Sequence, residues 1–221
     1  MSVTLSGIGV SRGIAIGKVH ILERGQPEGL EQKIPDSKVE NEVLRFQRAL
    51  RTAQEQLNNV RTRIPASTPA DIAAFIDTHL LMLKDSALVD VPIDLIRSQQ
   101  VNAEWALKLQ RDALVNIFEE MDDAYLRTRK DDVIHVVNRI LRILLHQDNH
   151  PHDGITALTD HIIIADDLTP ADTILLQHQK IAAFVPEYGG PLSHTAIMAR
   201  SLRIPAIVGV HNSRKPCHTM K

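Results

Sequence analysis

Cysteine, aromatic residues and net charge are all scarce in this 221-residue sequence. Its single cysteine, Cys217, excludes an internal disulfide framework. Because aromatic residues make up only 3% of the chain, Leu, Ile, Val and Ala must fill most of the core, which favours helical bundles and small α/β domains. The formal charge of -2 lacks the basic excess that is typical of nucleic-acid binding, so nucleic acid is not an expected partner.

Long apolar runs, a signal peptide and metal-ligand patterns are also missing. No run approaches the roughly 18 apolar residues of a membrane span, and the N-terminus lacks the apolar core of a secretory signal, so we expect a cytoplasmic protein without a membrane partner. The eleven histidines do not follow the spacing of a zinc site, so no metal site is expected. His146, His150 and His152 in "HQDNHPHDG" are typical of a solvated linker.

The middle of the chain has the pattern of an all-helical domain. No glycine occurs between Gly29 and Gly154, and apolar residues recur at steps of three and four in the long segment that begins near residue 37. Further helical patterns follow from Thr68, Asn102 and Asp122 or Asp123 as N-caps, with Pro92 expected to bound or kink a helix. The apolar repeat of the first helix comprises Val39, Val43, Phe46, Leu50, Ala53, Leu57, Val60 and Ile64.

The two ends of the chain predict a separate α/β domain. After residue 153 short apolar segments alternate with helical ones, including a helix capped by Thr169 with Pro170 at its first position. The opening segment "IAIGKVHIL" reads as a strand, which most simply joins the same sheet. We therefore predict an α/β domain from residues 1–24 and 147–210 with an all-helical bundle, 25–146, inserted into it, and a polar tail at 211–221.

The stretch "YGGPLSHTAIMARSLRIPAIVG" places His194 at the start of a helical pattern. Gly189 and Gly190 allow backbone conformations closed to other residues and the close approach of a bulky group, and Ser193 is a good N-cap. The first N–H groups of such a helix form an anion site, and Arg200 adds a positive charge nearly two turns on. A neutral imidazole there could attack phosphorus, which fits phosphoryl transfer through a covalent phosphohistidine. Helix capping alone, a Ser/His hydrolase and metal binding are the alternatives, and on spacing alone capping is favoured.

The complete string resembles the phosphohistidine signature of the phosphoenolpyruvate-utilising enzymes. Three other stretches, "LSGIGVSRGIAIGKV", "FIDTHLLMLKD" and "EMDDAYLRTRKDDV", resemble the Enzyme I family of the bacterial phosphotransferase system in particular, and "ADDLTPADT" is similar to that family's segment facing the active histidine. The resemblance implies a swivelling α/β domain whose histidine relays a phosphoryl group, with an inserted helical domain that docks the small phosphocarrier HPr or a paralogue.

Site residues follow from that resemblance position by position. His194 would be the phosphorylated residue, Thr169 the hydroxyl that bonds its ring or phosphate, and Arg200 the arginine of the signature. For carrier binding the resemblance points to Asp71, His79, Asp85 and Arg129, although the helical pattern favours a core position for most residues beside His79.

The sequence departs from the family after Gly209. The family continues into further strand, a long helix and a barrel domain that binds phosphoenolpyruvate and Mg²⁺, whereas "VHNSRKPCHTMK" is polar, so we expect a sheet edge or apolar face to be left uncovered. No cofactor is expected in this chain, which should accept a phosphoryl group from a phosphorylated carrier rather than from phosphoenolpyruvate. The alternative is a folded, catalytically idle module that only binds the carrier.

Overall fold

The computed structural model describes residues 3–22, 27–64, 70–146, 158–211 and 213, apart from the side chain of Asp71. The linker histidines His150 and His152, the predicted cap Thr68 and most of the tail lie outside these residues. In chain order the elements are β1 (Ile8–Ser11), β2 (Lys18–Leu22), α1 (Val39–Thr62), α2 (Ala70–Met82), α3 (Ser86–Gln99), α4 (Ala103–Glu119), α5 (Ala124–Arg127), α6 (Lys130–Leu144), β3 (His161–Ala165), α7 (Pro170–His178), β4 (Ala183–Pro186), α8 (His194–Leu202) and β5 (Ala206–Val208).

The chain forms two compact units. The sheet unit comprises Met1–Gly25, Arg63–Phe75 and Gly154–Lys221, and the helical unit comprises Gln26–Thr62 and Ile76–Asp153. Residues 63–75 therefore group with the sheet, whereas the sequence pattern assigned them to the helical domain. Within the described residues, no helix is both long and apolar enough to cross a membrane.

A mixed five-stranded sheet organises the sheet unit, in the order β1-β5-β4-β3-β2. Strands β2 to β5 run parallel and β1 pairs antiparallel with β5. The opening segment thus supplies two strands rather than the single strand expected, one at each edge. β1 lies along the outer side of β5, so β1 and β2 are the edge strands of the sheet, and the expectation of an uncovered sheet edge or apolar face stays a prediction.

The core of the sheet unit joins the sheet to its two helices. Phe184 on β4 is fully buried, and so are Ala196 and Ala199 on one face of α8. Because α7 and α8 connect consecutive parallel strands, both of them begin at the carboxyl edge of the sheet. That geometry fixes the place of the residues that start each helix.

In the helical unit, α1, α3, α4 and α6 pack against one another. The apolar repeat of α1 is confirmed as its buried face from Val39 to Val60, while Ile64 lies beyond the end of the helix and is partly exposed. Pro92 neither starts nor ends a helix but lies inside α3, which Asp85 caps by accepting from the Ala87 amide. Asp123 caps α5 in the same way.

Asn102 occupies the N-cap position of α4 but bonds elsewhere. Its amide oxygen accepts from the Gln32 amide at 3.0 Å, and its nitrogen donates to the Leu30 carbonyl and to Glu104. Arg45 joins the same cluster through Glu104 at 2.6 Å and Glu42 at 2.7 Å. These bonds attach the segment before α1 to the bundle, a partnership that sequence spacing does not reveal.

Two histidines on neighbouring strands of the sheet predict a pH-dependent stability. His20 on β2 lies edge-on to His161 on β3, with ring centroids 6.4 Å apart, and burial followed by the charge of His161 lowers the pKa of His20 from 6.5. The folded state therefore resists protonation, so this contribution to stability is present above about pH 6.5 and is lost as pH falls through the lower folded value. We expect His20→Gln to flatten the fall of the melting temperature between pH 7.5 and 5, measured by circular dichroism; an unchanged slope would contradict this.

Candidate active site

The sequence-predicted residues of the sheet unit meet at the carboxyl edge of its parallel strands. Thr169 follows β3, the segment from Gly189 to His194 follows β4, and Gly209 follows β5. Ligands of open α/β sheets bind at this edge, where loops and helix starts converge. The topology therefore places His194 and Thr169 at the same end of the sheet.

His194 is the first residue of α8. The Ser193 hydroxyl accepts from the Ala196 amide at 3.3 Å, which confirms Ser193 as the N-cap, and the Ser193 amide donates to the Gly190 carbonyl. His194 is 8% exposed, and the ring of Phe75, in the same unit, lies edge-on to its imidazole with centroids 4.9 Å apart. A ring held in this way at a positive helix end has a defined direction and lies where an anion is stabilised.

The two glycines before His194 have different roles. Gly189 has φ +104°, a conformation that L side chains rarely adopt, and a Cβ there would lie 3.1 Å from Ser193 Oγ. Gly190 has no such backbone angle, and a Cβ there would meet nothing within 4 Å. The expectation that both glycines serve backbone conformation holds for Gly189 only, whereas Gly190 borders open space.

This difference predicts opposite results for two alanine variants. Gly189→Ala is expected to lower the free energy of unfolding of the sheet unit by about 1–3 kcal/mol, because the alanine would be held in a strained region. Gly190→Ala is expected to change it by less than about 0.5 kcal/mol. Thermal unfolding of both variants checks this, and equal melting temperatures would contradict it.

A buried hydroxyl joins the start of α8 to the loop that carries Thr169. Thr195 Oγ1 donates to the Leu168 carbonyl at 3.0 Å, and Thr195 is 2% exposed. Thr169 caps α7 as predicted, because its side-chain oxygen accepts from the Asp172 amide, and the Asp172 carboxylate in turn accepts from the Thr169 amide. Because capping uses a lone pair of Thr169 Oγ1, its hydroxyl proton is left for another acceptor.

Arg200 lies on the exposed side of α8. Its Nη1 donates to the Pro191 carbonyl at 3.0 Å, which ties the loop before His194 to the helix after it. The guanidinium has five N–H donors in all. The positive charge predicted from the sequence therefore lies on α8, and one N–H donor of Arg200 holds the loop before His194.

The helical unit contains a second cluster of predicted residues. His79 on α2 is 2% exposed, and its Nε2 lies 3.0 Å from Asp132 Oδ1; Arg129 Nη1 donates to Asp132 Oδ2 at 3.0 Å. Arg129 also bonds the Tyr125 hydroxyl and lies over the Tyr125 ring. Burial lowers the pKa of Arg129, and the hydrogen bond and charge of Asp132 raise it by more, so the net pKa is raised and the guanidinium stays charged.

The other residues predicted to bind a carrier are not part of this cluster. Asp85 is exposed and caps α3, which accounts for its carboxylate structurally. The side chain of Asp71 lies outside the described residues. Of the residues along this side, Ile76, His79 and Leu83 are buried and Leu80 is half-buried, which confirms the core interpretation for most of them.

Sequence reasoning missed Thr195 and Asp132. Both form hydrogen bonds with partners distant in sequence, Leu168 for Thr195 and His79 for Asp132. These separations of 27 and 53 residues do not follow the repeat of a helix or a strand. Local signals were present, since Thr195 adjoins His194 and Asp132 lies three residues after Arg129 on one helical face. The described residues contain no cluster of three or more His, Cys, Asp or Glu side chains that could hold a metal ion.

Family models match both parts of the chain. Residues 6–129 match the model described as PEP-utilising enzyme, N-terminal, and residues 158–219 match PEP-utilising enzyme, mobile domain. The second match contains the carboxyl-edge loops and α8, and it extends into the polar tail predicted at 211–221.

Curated relatives and solved structures agree with these matches. Phosphoenolpyruvate-protein phosphotransferases of Cupriavidus necator and Haemophilus influenzae are each 38% identical, over 96% and 97% of this chain, which spans 38% and 37% of their own lengths. A solution structure of Enzyme I superposes with TM-score 0.75 at 32% identity, covering 95% of this chain and 84% of that one. The N-terminal domain of nitrogen Enzyme 1 shares the fold, with TM-score 0.64 and 22% identity. The chain therefore belongs to the family of phosphoenolpyruvate-utilising enzymes and corresponds to the N-terminal part of Enzyme I.

Proposed function

We propose that this chain relays a phosphoryl group through His194, exchanging it with a histidine of HPr or an HPr-like phosphocarrier. The observation that carries the proposal is the placement of the His194 imidazole at the start of α8, beside the Gly189 turn and the open space at Gly190. A ring nitrogen of His194 would form a bond to phosphorus as the nitrogen–phosphorus bond of the carrier breaks, and the carrier's imidazole would leave.

The groups around His194 have distinct roles in this proposal. Backbone N–H groups at the start of α8 would donate to phosphate oxygens, because the N-terminus of a helix presents N–H groups and a positive dipole end to an anion; the Ala196 amide is excepted, because it already donates to the Ser193 hydroxyl. The Thr169 hydroxyl would donate to the ring or the phosphate, and Arg200 would keep the loop in place while adding positive charge. Thr195 is a positioning residue, because it bonds the Leu168 carbonyl rather than any reacting atom.

We further propose that the sheet unit is the phosphohistidine domain, that it swivels, and that the helical bundle is inserted into it at 25–146 to dock the carrier. Arg129, whose side chain is 32% exposed and lies over the Tyr125 ring, and the exposed Asp85 offer charged groups for binding the carrier. Buried His79 would act through Asp132 by fixing Arg129. Asp71 stays a prediction from the resemblance.

The part that binds the phosphoryl donor is expected in the longer relatives. This chain spans 38% of the Cupriavidus necator protein and 36% of its Listeria innocua counterpart, so we propose that phosphoenolpyruvate and Mg²⁺ are bound by the remainder of such proteins. No cofactor of this chain takes part in the proposed relay. The cytoplasmic location stays a prediction.

Reverse phosphorylation tests the relay. The chain is mixed with HPr that carries ³²P on its histidine, and label on the chain is measured after gel separation. We expect phosphate that is labile in acid and stable in base, as a phosphohistidine is. Absence of label under conditions where HPr binds would favour the catalytically idle module instead.

A further inference from the structure

The loop between β1 and β2 crosses the edge of the sheet opposite to His194. Ser11, the last residue of β1, pairs with Ala206 at the start of β5, and Lys18, the first residue of β2, pairs with His161 at the start of β3. Residues 12–17 therefore run along the amino-terminal ends of the parallel strands. The proposed phosphoryl relay uses none of them.

Two isoleucines project from this loop into solvent. Ile14 is 94% exposed and Ile16 is 91% exposed, the highest values for large apolar side chains among the described residues. Apolar side chains exposed to that degree side by side mark an interaction site more often than isolated ones do.

Glycines hold the loop backbone close against the sheet. A Cβ at Gly13 would lie 2.6 Å from Pro205 Cγ, and one at Gly17 would lie 2.0 Å from the Asp160 carbonyl oxygen. Both contacts require glycine, so the backbone lies against the strand ends and the two isoleucines face outward from a fixed base.

Positive charge surrounds the isoleucines. The segments 12–18, 158–161, 178–182 and 203–205 form this edge, and their one acidic residue is Asp160. Their four cations are all exposed, and within the described part of the chain none of the four side chains forms a hydrogen bond or an ion pair. They are Arg12, Lys18, Lys180 and Arg203.

We propose that this basic edge, defined by Ile14, Ile16 and these four cations, docks an acidic protein segment that carries apolar side chains. The unpaired cations would form ion pairs with carboxylates of the partner, and the isoleucines would pack against its apolar side chains. A second copy of the chain would bring like charges together. A membrane is less favoured because interfacial binding relies on a wide apolar face, and this edge presents only two isoleucines.

Methyl NMR on the full chain, with isoleucine δ1-methyl groups labelled, tests the proposal. The probe is a 12-residue peptide of alternating Glu and Leu, and a Glu/Ser peptide and a Lys/Leu peptide of the same length serve as controls. We expect the Glu/Leu peptide alone to shift the Ile14 and Ile16 signals saturably. Ile14→Ser with Ile16→Ser should weaken this binding at least about tenfold, measured by calorimetry because the variant lacks both reporter methyl groups, since each exposed isoleucine contributes apolar area.

Matched variants and rival partners decide the outcome. Ile207→Ser, at an isoleucine on β5 that is 45% exposed, should leave peptide affinity unchanged, and Arg12→Glu with Lys18→Glu should reduce it. Phosphate transfer to His194 should be the same in all these variants. The proposal is overturned if the Glu/Leu peptide shifts neither methyl, if phosphatidylglycerol vesicles bind the edge where the peptide does not, or if sedimentation shows self-association that the serine variant removes.

Discussion

Replacing His194 by alanine is expected to abolish transfer of ³²P from phosphorylated HPr to the chain. The relay needs a ring nitrogen that can form a bond to phosphorus, and alanine offers no nucleophile. Nucleophile removal in covalent catalysis lowers rates by factors on the order of 10⁴ to 10⁶. We expect label below 1 in about 10³ of wild type at equal times, measured by gel autoradiography, because background then limits the assay.

The control is a histidine of the same unit that has no place at the carboxyl edge. His178 ends α7, is exposed and lies at the opposite edge of the sheet, so His178→Ala should be labelled like wild type. Circular dichroism must show that His194→Ala folds, since the imidazole packs against Phe75. Equal label on folded His194→Ala and wild type would place the phosphate elsewhere and sink the proposed relay.

The sequence predicted those parts of the fold that depend on periodicity and local caps. The buried face of α1, the Thr169 cap of α7 and the Ser193 cap of α8 each follow from residues within one or two turns. The sequence did not predict that Pro92 lies inside a helix. Proline by itself disfavours the interior of a helix, and the packing of the bundle around α3 stabilises this helix in spite of it. The four-residue β1 is too short to show an apolar pattern, and β5 supplies the pairing that makes it a strand.

How much the sequence predicted of the candidate site differs from residue to residue. Spacing placed His194 at a helix start but favoured capping as its explanation, and only the resemblance of the surrounding stretches gave it a chemical role. Gly189 and Gly190 look equivalent in sequence, yet the backbone angle separates them. Thr195 and Asp132 were missed because their partners come from other elements, which a local pattern cannot show.

Replacing Asp132 by alanine is expected to lower the free energy of unfolding of the helical unit by about 2–3 kcal/mol. Asp132 is 1% exposed, and its two carboxylate oxygens hold His79 and Arg129. Without Asp132 the buried His79 nitrogen loses this hydrogen-bond partner, whereas Arg129, whose side chain is 32% exposed, can reach water. Trp105, the sole tryptophan, lies on α4 in this unit, so its fluorescence during urea unfolding reports on the helical unit.

Two further variants separate the buried cluster from surface charge. Asp132→Asn keeps an acceptor oxygen for one neighbour and should lose less stability than Asp132→Ala. Glu40→Ala breaks an exposed pair with Arg97, in which both side chains are about half exposed or more, and should leave the urea midpoint unchanged.

In the transfer assay, Asp132→Asn should raise the HPr concentration needed for half-maximal labelling, because Arg129 is no longer fixed, while labelling at saturating HPr stays near wild type. If Asp132→Ala unfolds at the wild-type midpoint, the His79, Asp132 and Arg129 cluster does not stabilise the bundle.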